Sequence, residues 1–382
     1  MNYAFPIIRT IDDVLPHIEG RDEFIVAERE GYTVVNYVVA MSDTFDMTGP
    51  DDVGGAVRRE CRGLIFDSDG NLMSRPFHKF FNVNERAETQ THEIDMSQPH
   101  VIMEKMDGSM IRPILVDGYL RLATKMGVTN VAMQAEEWLA KYNYLQIVVS
   151  RRDYLRSEIA NGRTPIFEWV SPFNQIVIAY EEAHLVYLGS RDNITGEYFF
   201  DEDAPFTHCP RYGSMEGNIV EYVDRQREAE GREGDIIRFA DGHMCKIKND
   251  WYVRIHKTVD RIVFDRNIVN LILNEEVDDV LPMLPKVQAD RVREFESRFS
   301  ERLHTIINDY DRYWNSVVAS GLDRKRYAQE WMPTIKGNDP FAAAYVFGRF
   351  QGKDGRQMIL DHIEKNITTN VKWDACAEWM GI

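Results

Sequence analysis

Residues 101–125 read VIMEKMDGSMIRPILVDGYLRLATK, and their pattern sets the fold. Three aliphatic runs are broken by Asp107-Gly108 and Asp117-Gly118, and a run, a turn dipeptide and a second run are how antiparallel strands read. The same grammar extends from about residue 23 to 248. It includes GYTVVNYVVAM (31–41), RGLIFDSDGNLMSRPF (62–77) with a hairpin turn at 67–70, TPIFEWV (164–170), AHLVYLGSR (183–191), EYFFD (197–201), GDIIRFA (234–240) and HMCKIK (243–248). One helical stretch, 130–160, interrupts the strands, with Met133, Trp138, Leu139, Tyr154 and Ile159 as its expected buried positions. After about residue 251 the pattern changes to amphipathic helices, as in VREFESRFSERLHTIINDYDRYWNSVV (292–318) and GRQMILDHIEKNITTN (355–370). Pro282, Pro285, Gly321 and KGNDP (336–340) separate them. The expected class is α+β, with an antiparallel-sheet domain over 1–250 and an all-helical domain over 251–382.

Composition narrows the function. The chain of 382 residues is 44% hydrophobic and 28% charged, so it buries a core and is not a disordered or fibrous sequence. No run approaches the ~18 apolar residues of a membrane span, and the start MNYAFPIIRTIDD lacks a basic region followed by an apolar one. A cytoplasmic protein with no membrane contact is expected. Cys61, Cys209, Cys245 and Cys376 form no CxxC pair, which suggests neither a disulfide framework nor a structural zinc site. The net charge is −17, and residues 1–250 carry 26 basic against 42 acidic side chains. Such a surface does not coat nucleic acid by bulk charge, so any contact there comes from a few placed cations.

Three places carry chemistry. Lys105 ends the strand VIMEK just before Asp107-Gly108. A lysine held rigidly there, partly desolvated and near other cations, is equipped to attack a phosphorus or a carbonyl; an ordinary exposed turn lysine has the same local sequence. Lys246 and Lys248 stand at i and i+2 of one strand, on one face with Met244. Adjacent like charges fit a face that meets a polyphosphate, or one that is simply solvated. Glu168 sits in the apolar strand Phe167-Glu168-Trp169, and a buried carboxylate there needs a partner: a ribose hydroxyl, a metal or a structural cation.

Lys105-x-Asp107-Gly108, Glu168, Glu233-Gly234 and Lys246-x-Lys248 occur in the order K-x-D-G, acidic strand residue, E-G-x-x, K-x-K. In this the chain resembles the covalent nucleotidyltransferases, the polynucleotide ligases and capping enzymes. The segments ECRGLIF (60–66), SRPFHKFFNVNE (74–85), FEWVSP (167–172), IVIAY (176–180), KIKNDWYV (246–253) and DRK (323–325) are similar to the tRNA-repairing RNA ligases of T-even phages, along nearly the whole chain. Capping enzymes and DNA ligases carry an OB-fold after the K-x-K strand, and the helical pattern here does not look like one.

The resemblance implies a nucleotidyltransferase (ATP-grasp-like ligase) domain over 1–250, followed by a helical RNA-specificity domain over 251–382. It implies an ATP-dependent RNA ligase, in which Lys105 takes AMP from ATP, passes it to an RNA 5′-phosphate, and the RNA 3′-hydroxyl then displaces it. Arg62, Lys79, Lys125, Lys246 and Lys248 are expected on the nucleotide's phosphates, Tyr37 on the nucleotide and Glu168 on its ribose. Glu233 and Asp278 are expected near Mg2+ or Mn2+, while Asp107, Gly108, Gly234 and Tyr252 shape the site. The expected partners are ATP and RNA ends, above all those of a broken tRNA, with the protein a monomer of phage type. Asp235 departs from the apolar third position of E-G-x-x, and strand alternation puts it on the face away from the site. Two other readings stay open: a DNA ligase or GTP-using capping enzyme, and a non-catalytic RNA-binding or virion-assembly protein.

Overall fold

The computed structural model describes residues 3–142, 150–215, 217–335 and 339–382. Two compact units divide the chain, Met1–Arg254 and Ile255–Ile382.

In the N-terminal unit, β1 (Phe24–Arg29), β2 (Tyr32–Tyr37), β3 (Arg62–Asp67) and β4 (Leu72–Ser74) pair in that order as one antiparallel sheet. The helix α1 (Val53–Glu60) precedes β3. β5 (Phe81–Asn82) and β6 (His100–Glu104) begin another sheet. β7 (Ser109–Val116), β8 (Tyr119–Ala123), β9 (Arg163–Val170), β10 (His184–Asp192), β11 (Tyr198–Phe199) and β12 (Thr207–His208) form a third, in the order β11-β10-β9-β7-β8 with β12 beside β10. β13 (Gly234–Phe239) and β14 (Met244–Lys248) complete the second, in the order β5-β14-β13-β6. The pairing is antiparallel as the hairpin turns require, with two departures: β12 on β10 and β5 on β14 run parallel. Both are two-residue strands delivered by long connections, which leave direction free.

Alternation along these strands makes two kinds of face. Ile237, Cys245 and Ile247 turn outward and pack with Ile219, Tyr222 and Val223 of α4 (Ile219–Glu228, following α2 and α3 below). Met103 and Met244 turn the other way and pack with Ile166, Val170, Val186 and Leu188 of β9 and β10. On the far side of β9, Phe167 and Trp169 meet the helices α2 (Asn130–Tyr142) and α3 (Arg151–Ala160). Glu168, between them, therefore faces inward.

The predicted helical stretch 130–160 is thus two helices, and its segment 143–149 lies outside the described residues. Its buried face agrees with the expected one only in part: Leu139 is buried, and Trp138 and Tyr154 pack on the same core. Met133 is exposed, Trp138, Tyr154 and Ile159 are half-buried, and the positions at the sheet are Ala132, Ala135, Leu139 and Leu155. Small alanines let α2 approach the strands closely, whereas a count of bulky apolar residues favours Met133.

The C-terminal unit is helical. Its longest element, Lys286–Ala319, has 34 residues and buries Ala289, Val292, Phe295, Phe299, Ile306, Tyr310 and Val317 along one stripe. Those side chains join Tyr345, Val346, Ile359, Ile363, Trp373 and Met380 in one core. Of the expected separator KGNDP, residues 336–338 lie outside the described residues, and Asp339 caps the helix Pro340–Phe350 by accepting from the Phe341 and Ala342 amides.

Candidate active site

Between the sheet of β6, β13 and β14 and the sheet of β7, β9 and β10 lies a cavity of about 610 Å³. Tyr37, Arg62, Lys79, Lys105, Lys125, Glu168, Lys246 and Lys248 all line it.

The backbone explains how residues so distant in sequence meet. Lys105 follows β6, and its amide donates to the Gly234 carbonyl (2.9 Å). β13 pairs Ile236 with Lys246 and Gly234 with Lys248, so E-G-x-x and K-x-K are neighbours by register. β7 pairs Met110 with Glu168. Two of these crossings need glycine. A Cβ on Gly108 would lie 2.3 Å from the Trp169 carbonyl oxygen, and one on Gly234, at φ +148°, would lie 1.9 Å from that of Ile247. A β-bulge between Val35 and Asn36, opposite Leu64 and Arg62, leaves Gly63 as the extra residue. Such a bulge re-aims neighbouring side chains, and here Tyr37 and Arg62 come to the cavity wall.

The side chains make a strongly positive pocket. Lys79 Nζ lies 3.5 Å from the Tyr37 hydroxyl, and Lys79 and Lys125 stand 5.0 and 5.5 Å from its ring centre. Burial pushes the Tyr37 phenol up, but the charges of Lys79, Arg62 and Lys125 outweigh it and the net direction is down. Burial, then the charges of Lys79, Arg62 and Lys105, push Lys246 down to about 7. Burial pushes Glu168 up to about 8, with the Lys105 charge opposing. Among the described residues the Glu168 side chain has no hydrogen-bond or ion-pair partner. A desolvated carboxyl facing a cavity without a protein partner is suited to receive a donor from a ligand.

Glu233 is not on the wall. It is buried behind it, and its Oε1 holds Lys105 Nζ at 2.7 Å and Lys248 Nζ at 3.1 Å. Asp107 also turns inward, 2% exposed. One of its oxygens accepts from the Val177 and Ile178 amides (2.8 and 2.7 Å), and the other from the Tyr252 hydroxyl (2.7 Å). Asp235 points away from the cavity, as alternation requires, yet it is buried rather than solvated: Tyr222 donates to it at 2.6 Å and Arg232 pairs with it at 3.0 Å beneath α4.

Two features escaped the sequence reading. Arg238 lines the cavity; counting two residues on from Ile236 along the same strand face finds it. Arg112 is fully buried and donates to Ser74 Oγ (2.8 Å) and to the Gly63 carbonyl, with no carboxylate among its partners in the described residues. Burial, with help from Arg62, pushes its guanidinium down to about 9. No local pattern signals it.

The donor set fits a polyphosphate nucleotide: several cations converge on one space that also holds an unpartnered carboxylate and an apolar wall of Met103, Met110 and Leu188. For a divalent cation the fit is narrower. Among the described residues no three His, Cys, Asp or Glu side chains stand together to hold a metal. A magnesium ion carried on phosphates needs only one or two carboxylates, and Glu168 is at hand for that. Asp278 belongs to the other unit, exposed on the short helix Val277–Val280.

The chain is similar to several known proteins. A family model described as RNA ligase matches residues 60–252. A putative RNA ligase of Thermovibrio ammonificans is 30% identical over 318 residues, covering 79% of each chain. RNA ligase 1 of bacteriophage TS2126 is 24% identical over 356 residues, covering 88% of this chain and 84% of that one. Among solved structures, a mutant Naegleria gruberi RNA ligase with ATP and Mn matches with a TM-score of 0.38 and 16% identity, over 48% of this chain. The present chain spans 58% of that structure's length.

Proposed function

This chain belongs to the RNA ligase family, and from that premise we infer that it seals RNA through an AMP-lysine intermediate on Lys105. The observation that carries the reading is the Lys105 amine, which lines a cavity built for a polyanion and is held from behind by a buried carboxylate at 2.7 Å.

In the first step the Lys105 nitrogen attacks the α-phosphorus of ATP and the bond to pyrophosphate breaks. An ammonium has no lone pair, so its proton must leave first, and Glu233 Oε1 is the adjacent acceptor. Lys248, which shares Glu233, and Lys246, Lys79, Arg62 and Lys125 hold the phosphates and balance charge developing at phosphorus. Glu168 accepts from a ribose hydroxyl, and Tyr37 lies against the nucleotide. Asp107 and Tyr252, with the close packing at Gly108 and Gly234, position the turn that carries Lys105. Mg2+ or Mn2+, when bound, would neutralise phosphate charge and stabilise the leaving pyrophosphate; Glu168 on the cavity wall and Glu233 behind it are the carboxylates we propose would help to hold it. AMP then passes to an RNA 5′-phosphate, and the RNA 3′-hydroxyl attacks that phosphate and releases AMP.

The substrate we propose is the broken anticodon loop of a tRNA, on the segments shared in pattern with the T-even type, with the helical unit supplying preference for it. The four cysteines are unpaired and buried, which fits a reducing compartment such as the cytoplasm.

The test is covalent labelling. Protein mixed with Mg2+ and α-32P-ATP, then denatured, is expected to retain label, and Lys105→Ala to retain none while folding normally. No label on folded wild type that is free of prior AMP would overturn the reading and favour an RNA-binding protein; label from GTP alone would favour a capping enzyme.

A further inference from the structure

A second concavity, of about 630 Å³, opens at the far end of two strands that also reach the active-site cavity. β2 starts there at Tyr32 and ends at the cavity with Tyr37; β8 starts there at Tyr119 and leads on to Lys125. The strand rise makes the separation about 17 Å along β2.

Four arginines line this groove, Arg29, Arg121, Arg152 and Arg156, against two carboxylates, Glu30 and Asp117. That balance is the reverse of the surrounding segment, where acidic side chains outnumber basic ones by 42 to 26 over residues 1–250. Arg121 is committed to Glu136 at 2.9 Å. Arg152 and Arg156 are not committed: both are exposed on α3, one turn apart, and among the described residues neither side chain has a hydrogen bond or an ion pair. Like charges at i and i+4 oppose a helix, so the pairing of the two arginines adds nothing to the stability of α3. Beside them Tyr119 is 73% exposed. Cations that track phosphates, with an aromatic ring on which a base stacks, are what single-stranded nucleic acid requires.

The geometry points to this groove as a docking site for the phosphate backbone of a single RNA strand whose end lies in the active-site cavity. The assignment rests on the RNA-sealing reading given above. At ~3.4 Å per stacked nucleotide, the distance corresponds to about five nucleotides, so the groove reads the body of the strand and not its terminus.

The experiment compares the full chain with R152A/R156A in titrations of 5′-phosphorylated single-stranded RNA of about 20 and about three nucleotides over a range of salt concentrations. For the long RNA, affinity is expected to fall about tenfold and the slope of log affinity against log salt to flatten by about 1.4, at ~0.7 per lost contact. The short RNA is expected to bind both proteins equally, and R152K/R156K to retain the wild-type slope. Labelling from ATP, which involves no RNA, is expected to match wild type and shows that the variant is folded. An unchanged slope for the long RNA, or an equal loss for short and long, would overturn the groove. Absence of label on the wild type would instead overturn the proposed reaction, with the RNA titration still judging the groove.

Discussion

Two groups of charged side chains lie inside the N-terminal unit, and they differ in what faces them. In the first, Glu60 receives Arg75 at 3.0 Å and Arg191 at 2.7 Å, all three fully buried. Their remaining donors go to carbonyls of Pro6, Pro76, Ile194 and Gly196. Burial would push the Glu60 carboxyl up, and the two arginines outweigh it. In the second group, Lys105 and Lys248 share Glu233, the other cations line the open space beside them, and the Glu168 side chain faces them with no partner among the described residues. The same residue types make a closed knot in one place and an unfinished one in the other. Incompleteness is what marks the cavity as a place for a ligand.

Glu60→Ala leaves two arginines buried without a carboxylate and is expected to cost about 3–5 kcal/mol, read as a lower denaturant midpoint. A small change would mean that the carbonyls alone satisfy the arginines and that the knot is not closed by charge. Next, Tyr252→Phe removes one donor from buried Asp107 and is expected to cost about 1–3 kcal/mol, together with slower labelling of Lys105. Unaltered labelling at reduced stability would show that Asp107 supports the fold without positioning the lysine.

The smallest effect concerns pH. Lys246 at about 7 and Glu168 at about 8 both lose a proton as pH rises through that window, and the cavity becomes less positive. Affinity for an α,β-methylene analogue of ATP is expected to be several-fold weaker at about pH 8.5 than at about pH 6.5, with Lys246→Arg flattening the lower part of the curve. Their contributions to stability have opposite signs. Glu168, raised from 4.5, stabilises fully below that value and less as pH climbs to about 8; Lys246, lowered from 10.5, adds stability as pH rises from about 7 towards 10.5. A pH-independent affinity would show that the other cations hold the phosphates.

Much of this architecture was legible in the sequence. Alternation and turn dipeptides give β6 to β10, β13 and β14, because a strand's two faces are written at period two. The inward aim of Glu168, between Phe167 and Trp169, follows by the same count. The face of α2 was legible only in part: Trp138 and Leu139 were found, but Ala132 and Ala135 are chosen for closeness to the sheet and a hydrophobicity count passes over them. Nor were Arg112 and the Glu60 knot, whose partners lie up to 131 residues apart in the chain. Glu233 was legible as an acidic residue of the site; its hold on two lysines was not, because it depends on register between strands.

The Asp107 carboxylate also bears on time. Val177 and Ile178 lie in a stretch without helix or strand, where amide hydrogens ordinarily trade with water quickly. Here both amides are tied to the buried oxygen of the K-x-D-G turn. The irregular loop is thereby expected to exchange these two amides as slowly as a core strand, for as long as the turn carrying Lys105 holds its shape.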